Sequence, residues 1–427
     1  VRGVVPRPGW SQTRPGGVNG KSAGLTPGRP PAYTFPPRRT PPDPHRFPIA
    51  SPPDTAVPAR LVPAALRRLY RRAVPHPAPD FAGLWEAACT KWFVGELHVH
   101  PDAVLAVTGW AVTPPNYRPY LEFRVNGTPA ASATYPLPRP DVAAKLPFAA
   151  GALDSGFAVV HPLPDPAADL TLTLADARTG QSLGKDYPPV YVPGPGRAGP
   201  LPAGHRIARV IGESSVFNFR AGGFTVFRTL EDAVERAAGQ VLADFPRVLD
   251  WGCGCARVSR YFLDASGVQL TGADVDPDNV AWCRDHLPNG EWLTLPLRPP
   301  TPLPAAGFDM AIGVSVFTHL KEPEQRTWLR ELERVVRPGG LALMTFHGPA
   351  SVVWAGLSAE RYAQVRSAGI ADQPNPLYDA DLGEADYYRD VFHSAAYVRR
   401  VWGRHFDILA IEPCAIAHQD LVVMRRR

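Results

Sequence analysis

Asp250 closes the apolar run Val248-Leu249-Asp250, and Trp251, Gly252, Cys253, Gly254 and Cys255 follow it directly. A carboxylate, two glycines and two cysteines packed this closely admit four chemistries: a metal site, a redox pair, a grip on a nucleotide, or plain packing. Cys-x-Cys with no nearby Cys or His partner falls short of the ligand set of a structural zinc site. The alternate spacing also makes a poor redox couple. No metal site is expected, and the cysteines read as small, close-packed residues of a turn. The glycines let backbone approach a ligand closely. A helix expected from about Ala256 would turn free N–H groups toward an anion. Asp274 ends the next apolar run, 20 residues after Gly254, a spacing that suits a carboxylate accepting hydrogen bonds from ribose hydroxyls. The plain alternative is a tight strand-to-helix turn whose glycines serve packing alone. A dinucleotide fingerprint needs a small residue at position 257. Arg257 stands there and would crowd a pyrophosphate, so the turn suits a nucleoside carrying an amino-acid end.

These residues need a particular scaffold. "RVLDWG" reads as a strand, and Val258, Tyr261, Phe262 and Ala265 give the following helix its buried stripe. "VQLTGAD" is the next strand, after which Asp276 and Pro277 supply an N-cap and first-turn proline for a helix through Leu287. "FDMAIGVS" and "LALMTF" are further strands. The helix "EPEQRTWLRELERVV" lies between them, Trp328, Leu329, Leu332, Val335 and Val336 facing inward. A helix from Ser394 to Trp402 and two strands, "FDILAIEP" and "DLVVMRR", close the chain. Strand and helix in alternation mean a mainly parallel sheet covered on both faces, with ligands held outside the carboxyl ends of its strands.

The rest of the chain differs in character. Residues 1–60 are rich in Pro and Gly without apolar periodicity and read as a disordered tail. Residues 61–84 hold a short basic amphipathic helix and a linker: Leu61, Leu66, Leu69 and Tyr70 share one face, and Arg67, Arg68, Arg71 and Arg72 fill the other. Such a helix either packs on the next domain with its arginines in water or contacts an anionic membrane surface through residues 61–74. Residues 85–195 hold six alternating or apolar runs with turn signals between them, Asn126-Gly127 included, and read as an all-β sandwich. "PGPGRAGP" at 193–200 is a linker. The net charge of +5 is a property of the tail, because residues 1–80 carry 13 Lys and Arg against 3 Asp. The folded remainder is acidic, which argues against nucleic acid as a partner. No run is long enough for a membrane span, and the opening "VRGVVPRPGW" lacks the pattern of a secretory signal. The expected compartment is the cytoplasm, with the inner face of the membrane as the place a basic helix would dock. Five thinly spread cysteines make no disulfide framework.

"VLDWGCGCARVSR", "LTGADVDPDNVAWC", "FDMAIGVSVFTHL" and "ELERVVRPGGLALMTFHG" occur in this order over residues 205–427, and in that the chain resembles the class I S-adenosylmethionine-dependent methyltransferases. Its ending, from "FHSAAYVRR" on, is similar to a bacterial subgroup linked to surface-glycan biosynthesis. The fold class this resemblance implies is α/β: a seven-stranded Rossmann-like methyltransferase domain over 201–427, its last strand antiparallel, preceded by the β-sandwich and the Pro-rich tail. The implied cofactor is S-adenosylmethionine. Asp250, Gly252, Cys253 and Gly254 would line its methionine portion, Asp274 would hold the ribose with Val275 beside the adenine, and Ser315 would face the reactive end. Two departures stand out: Ala256 replaces the commoner third glycine, and "GEWLTLPLRPP" lacks the acidic residue that often meets the adenine amine. A hydroxyl acceptor must also lose a proton, for which histidine is the natural base. His319, His347, His393 and His418 are candidates. His319 and His418, the latter oriented by Asp420, are favoured because both fall near the carboxyl-end rim. Tyr387, Tyr388 and Arg389 would shape the acceptor pocket.

"GWAV", "RPDVAAKLP" and "SGFAV" in the β region resemble the accessory sandwich of bacterial glycosyltransferases. Together the two resemblances imply O-methylation of a saccharide hydroxyl in surface polysaccharide or glycolipid assembly. Two alternatives stand beside it: a natural-product or small-molecule N- or O-methyltransferase, and a catalytically inactive cofactor-binding domain carrying a glycan-binding module.

Overall fold

The computed structural model describes residues 77–114, 116–197, 199–376 and 383–427. The tail and the basic helix expected over 61–74 lie outside the described residues. The first element is a helix, Phe81–Ala88, capped by the Asp80 side chain. It begins before the sandwich boundary expected at residue 85 and was not foreseen.

Eight strands follow: β1 (Trp92–Val99), β2 (Val104–Ala111), β3 (Leu121–Val125), β4 (Thr128–Pro129), β5 (Ser132–Leu137), β6 (Gly156–Pro162), β7 (Leu170–Asp176) and β8 (Val190–Val192). They form two four-stranded antiparallel sheets, ordered β1-β2-β6-β5 and β4-β3-β7-β8. Alternation along each strand puts Trp92, Val94, Leu105, Val107, Phe157 and Val159 of one sheet into the same core as Phe123, Val125, Leu172 and Leu174 of the other. Asn126 and Gly127 turn β3 into β4 with φ of +49° and +78°, as their dipeptide requires. Strand β5 carries no apolar alternation because it lies at a sheet edge, its residues exposed or half-buried.

A third sheet has seven strands: β9 (Arg247–Trp251), β10 (Gln269–Asp274), β11 (Glu291–Thr294), β12 (Phe308–Gly313), β13 (Val336–Phe346), then, beyond the separate hairpin β14 (Ile370–Pro374) and β15 (Arg389–His393), β16 (Phe406–Ile416) and β17 (Gln419–Arg426). The order is β11-β10-β9-β12-β13-β17-β16, with β17 antiparallel to both its neighbours. Successive residues of the central strands serve opposite faces. Val248, Met310, Ile312, Leu341 and Leu343 meet the helix Val216–Ala238 on one side. Leu249, Ala311, Ala342 and Met344 meet the helix Glu322–Val335 and Trp402 on the other. Strands buried on both faces read as continuous apolar runs, which made them legible in the sequence.

The helix Val216–Ala238 was not foreseen. It covers the sheet with Phe219, Phe224, Phe227 and Leu230, and also reaches the β-strand region. There the Thr225 hydroxyl accepts from the Tyr191 N–H at 3.0 Å and donates to the Tyr191 carbonyl at 3.1 Å. A second junction is aromatic: Trp354, in the helix Pro349–Ala355, sits 6.1 Å from Trp85 and 6.2 Å from Trp110, ring centre to ring centre. The two parts of the chain thus share a core that the linker composition gave no hint of. No helix among the described residues is long and apolar enough to cross a membrane.

Trp85 is 1% exposed within this junction. Trp85→Ala is expected to lower stability by about 3–5 kcal/mol, the usual cost of emptying a buried aromatic site, measured as a shift in the urea midpoint.

Candidate active site

The order of the sheet reverses direction between β9 and β12, where α/β sheets open a crevice. A cavity of about 230 Å³ lies there. Asp250, Gly252, Cys253, Gly254, Asp274, Val275, Ser315 and His319 all line it, so the fold brings together every residue the sequence assigned to a cofactor and one of its two favoured bases.

The turn after β9 is not the beginning of a helix. Gly252, Gly254 and Ala256 have φ of +80°, +53° and +61°, and the helix starts only at Ser259, running five residues to Leu263. The expected start at Ala256 is therefore corrected: left-handed residues at every second position cannot belong to a right-handed helix. Ala256 carries its methyl group in a conformation that favours glycine, at an intrinsic cost of roughly 1–2 kcal/mol.

What holds this turn is the end of β10. The N–H groups of Gly252 and Cys253 donate to the Ala273 carbonyl at 2.7 and 3.2 Å. Gly254 N–H donates to Asp274 Oδ2 at 2.7 Å, and Asp276 N–H to Asp274 Oδ1 at 2.8 Å. Each Asp274 oxygen thus keeps acceptor capacity for a further donor. Burial pushes the Asp274 carboxyl above its usual range against the pull of these N–H groups. A Cβ on Gly252 would collide with Val316, and one on Gly254 would stand 2.9 Å from Val210 Cγ2. Both glycines are required by close approach as well as by φ.

Asp250 is buried and accepts from the Ser259 hydroxyl. Burial raises its carboxyl to about 7; the Ser259 bond opposes the shift and the nearby Asp274 adds to it. The cysteines are all free and buried. Cys253 and Cys283 both point their thiols at the Gly254 carbonyl, 3.6 Å away. Burial pushes the Cys255 thiol up to about 11, so it stays protonated at neutral pH. Among the described residues no group of three or more His, Cys, Asp or Glu side chains is placed to hold a metal ion.

Ser315 has φ of +61°; its N–H donates to Thr345 Oγ1 at 2.7 Å and its hydroxyl pairs with the Gln419 side chain. His319 follows in the same loop, and the hairpin holds that loop from outside: Arg389 N–H donates to the His319 carbonyl and Val391 N–H to that of Thr318, at 3.1 and 2.8 Å. The His319 ring stacks on Tyr388, centres 4.0 Å apart. Its Nδ1 lies 2.9 Å from the Arg389 carbonyl. A carbonyl only accepts, so Nδ1 carries the proton and Nε2 is left as a lone-pair acceptor. Asp390 Oδ1 is 3.7 Å from Nδ1 and favours a second proton, but burial outweighs it and lowers the His319 pKa to about 4.

The other histidines separate from the cavity. His418 occupies the β16–β17 turn and reaches His319 only through His347, in ring steps of 5.7 and 6.0 Å. Asp420, expected to orient His418, makes no hydrogen bond or ion pair with it among the described residues, and its Oδ1 accepts instead from Cys414 N–H inside the hairpin. His393 is fully buried against Gln325. Tyr387 and Tyr388 do line the cavity, whereas Arg389 pairs with Asp372 and Asp386.

Sequence reasoning missed Arg209 and Val210, brought over the turn by the helix Gly204–Ile211 and latched by an Arg209–Asp276 ion pair at 2.6 Å. It also missed Asn279, whose amide nitrogen donates to Asp276 Oδ2 at 2.8 Å and whose oxygen is buried without a partner. The position three residues past the Asp276 N-cap, on the same helix face, was the signal available for Asn279.

Residues 248–340 match the family model described as a methyltransferase domain. The malonyl-[acyl-carrier protein] O-methyltransferase of Enterobacter lignolyticus is 32% identical over 104 residues, 24% of this chain. That match spans 39% of the relative's length. Among solved structures, the PH0226 protein of Pyrococcus horikoshii aligns with 48% of this chain and 90% of its own, at 18% identity and a TM-score of 0.35. The 1,6-didemethyltoxoflavin-N1-methyltransferase of Burkholderia thailandensis, solved with S-adenosylhomocysteine, aligns with 53% and 92% at 18% identity and a TM-score of 0.32.

Gly252→Ala drives a methyl group into Val316 at a left-handed φ and is expected to cost about 1–3 kcal/mol in a denaturation experiment. Adding Val316→Ala to the same chain recovers part of that loss, because the two sites are in contact and their effects do not add.

Proposed function

We propose that this chain, a methyltransferase by its domain at residues 248–340, uses S-adenosylmethionine to methylate a hydroxyl oxygen, and that a saccharide carries the hydroxyl. The residues fit the cofactor. A cradle that a Cβ at Gly252 or Gly254 would fill lies beside Asp274, whose oxygens each retain capacity for a ribose hydroxyl. Val275 and Leu295 offer apolar surface to the adenine from the same wall. When bound, the sulfonium supplies an electrophilic methyl group and a neutral thioether leaving group.

The observation that carries an oxygen acceptor is the tautomer of His319. Its protonated Nδ1 is spent on the Arg389 carbonyl, so a neutral ring lines the cavity with Nε2 able to take a hydroxyl proton. Tyr388 fixes the ring plane by stacking, and the hairpin fixes the loop. Methyl transfer is an in-line displacement, so holding the acceptor aligned is the protein's main contribution. Tyr388, half-buried at the cavity, offers an aromatic wall on which a sugar ring can stack, with Trp328, Leu320 and Tyr387 buried behind it. The O-methyltransferase relative agrees with an oxygen acceptor. The paired sheets of residues 92–192 are read as a sandwich that presents the glycan, their shared core with the catalytic part holding them at a fixed angle. His418 and Asp420 have no assigned chemical role in this reading.

The same aromatic wall would also serve a planar small molecule, and an acceptor screen separates the two. Purified protein with labelled cofactor is offered lipid-linked and nucleotide sugars, then phenols and amines. Transfer to sugar supports the proposal, and transfer to phenols or amines alone replaces it with a small-molecule reading. Cofactor binding without turnover on any acceptor marks an inactive domain.

His319→Gln is expected to reduce kcat roughly 100-fold or more, the usual worth of a positioned base, with cofactor affinity retained. In the parent the acid limb owed to His319 falls near pH 4 rather than at the ordinary histidine value, because the base loses its lone pair only as pH drops through its lowered pKa. A kcat/KM profile in the parent and the variant checks both points.

A further inference from the structure

The charged groups of the cavity can be paired off one by one. Asp276 is committed to Arg209, to the Asn279 amide and to the N–H groups of its own helix. Asp274 is committed to Gly254 and Asp276 N–H, and Asp250 to the Ser259 hydroxyl. Arg257 is left over. It lines the cavity, and its stem lies along the helix Val216–Ala238 where Gly222 and Gly223 leave room: a Cβ on Gly222 would stand 3.7 Å from its Nη1, and one on Gly223 would stand 3.1 Å from its Cγ. Among the described residues it makes no hydrogen bond or ion pair. The opposing charge that acts on it is the buried Asp250, which forms no ion pair with it and which a hydrogen bond from Ser259 already occupies. A guanidinium does not shed its proton in proteins, and one withdrawn from water needs an anion.

We infer that Arg257 is the anchor for the ligand's α-carboxylate, gripping it as a planar fork beside the Gly252–Gly254 turn. This assignment rests on the cavity being the cofactor site. The five-residue helix that follows the turn is too short to serve as an anion site of its own, and the Gly254 N–H is already bound to Asp274. The anion-binding role expected of that helix therefore passes to a side chain. The chemistry selects one part of the ligand, since the amino-acid end of a sulfonium nucleoside carries its only anion. A planar guanidinium matches a carboxylate bidentately in a way an ammonium does not.

The test is calorimetry on the full chain with S-adenosylhomocysteine and its decarboxylated counterpart, S-adenosyl-3-thiopropylamine. The parent is expected to prefer the carboxylate-bearing ligand by roughly 10- to 100-fold, the scale of charge-assisted hydrogen bonds. Arg257→Gln is expected to abolish that preference while binding the decarboxylated ligand as the parent does. Arg257→Lys retains the charge without the fork, should keep an intermediate preference, and keeps the test open if the glutamine variant fails to fold. An unchanged preference in either folded variant overturns the assignment of Arg257 and leaves the cofactor site standing. A parent that binds neither ligand overturns both.

Discussion

The Asp274 carboxylate, accepting from Gly254 N–H with one oxygen and Asp276 N–H with the other, is the interaction on which the site depends. It fastens the loop after β9 to the loop after β10 at the point where the sheet opens. From Asp276 the fastening continues outward, because that residue caps the next helix and takes the ion pair from Arg209. One carboxylate thus sets the turn, the next sets the helix, and the pair places the segment Gly204–Ile211 over the crevice. The arrangement holds backbone close together with carbonyl and N–H groups satisfied, which is what a buried turn needs.

On the other side of the cavity, order comes from a hairpin rather than a carboxylate. Strand β15 donates to the carbonyls of Thr318 and His319 after β12, and His393 N–H to that of His347 after β13. Two loops that leave neighbouring strands are thereby held at a fixed spacing. The cost is a set of histidines withdrawn from water: burial lowers His319, His347, His393 and His418 alike. Unfolding would return them to their ordinary affinity for protons, so their contribution to stability falls as pH drops below about 6.5. The buried Asp250 and Asp420 act in the opposite sense, each taking a proton more readily folded than unfolded.

The β-strand region is fixed to the rest at two points, by the paired Thr225–Tyr191 hydrogen bonds on one helix and by the buried tryptophans around Trp354 on another. A shared core of this kind resists relative motion in a way a short polar interface does not. Lys145, at the end of the helix Pro140–Lys145, lies near enough to His418 to oppose its protonation. The first part of the chain therefore contributes charge at the rim of the second.

The sequence by itself determined the parallel strands, the glycine turn and Asp274, because continuous apolar runs, left-handed positions and a strand-end carboxylate are local patterns. The Asn126-Gly127 hairpin and the Asp276-Pro277 helix start were legible for the same reason. Only the tertiary structure decided which histidine faces the cavity, since His319 and His418 both belong to the rim and differ in what stands between them and the ligand. It also decided that Arg257, read from the sequence as an obstacle to a dinucleotide, has room beside Gly222 and Gly223 and no hydrogen-bond or ion-pair partner among the described residues. The edge strand β5 and the shared tryptophan core followed no local pattern strong enough to read, whereas the helix Val216–Ala238 carried one that was overlooked: Ser215 caps its start, Gly239 ends it, and Phe219, Gly223, Phe227, Leu230 and Val234 recur at helical spacing. Contacts between segments hundreds of residues apart are set by which faces remain uncovered once each part has folded, and that information is carried by no short stretch of the chain.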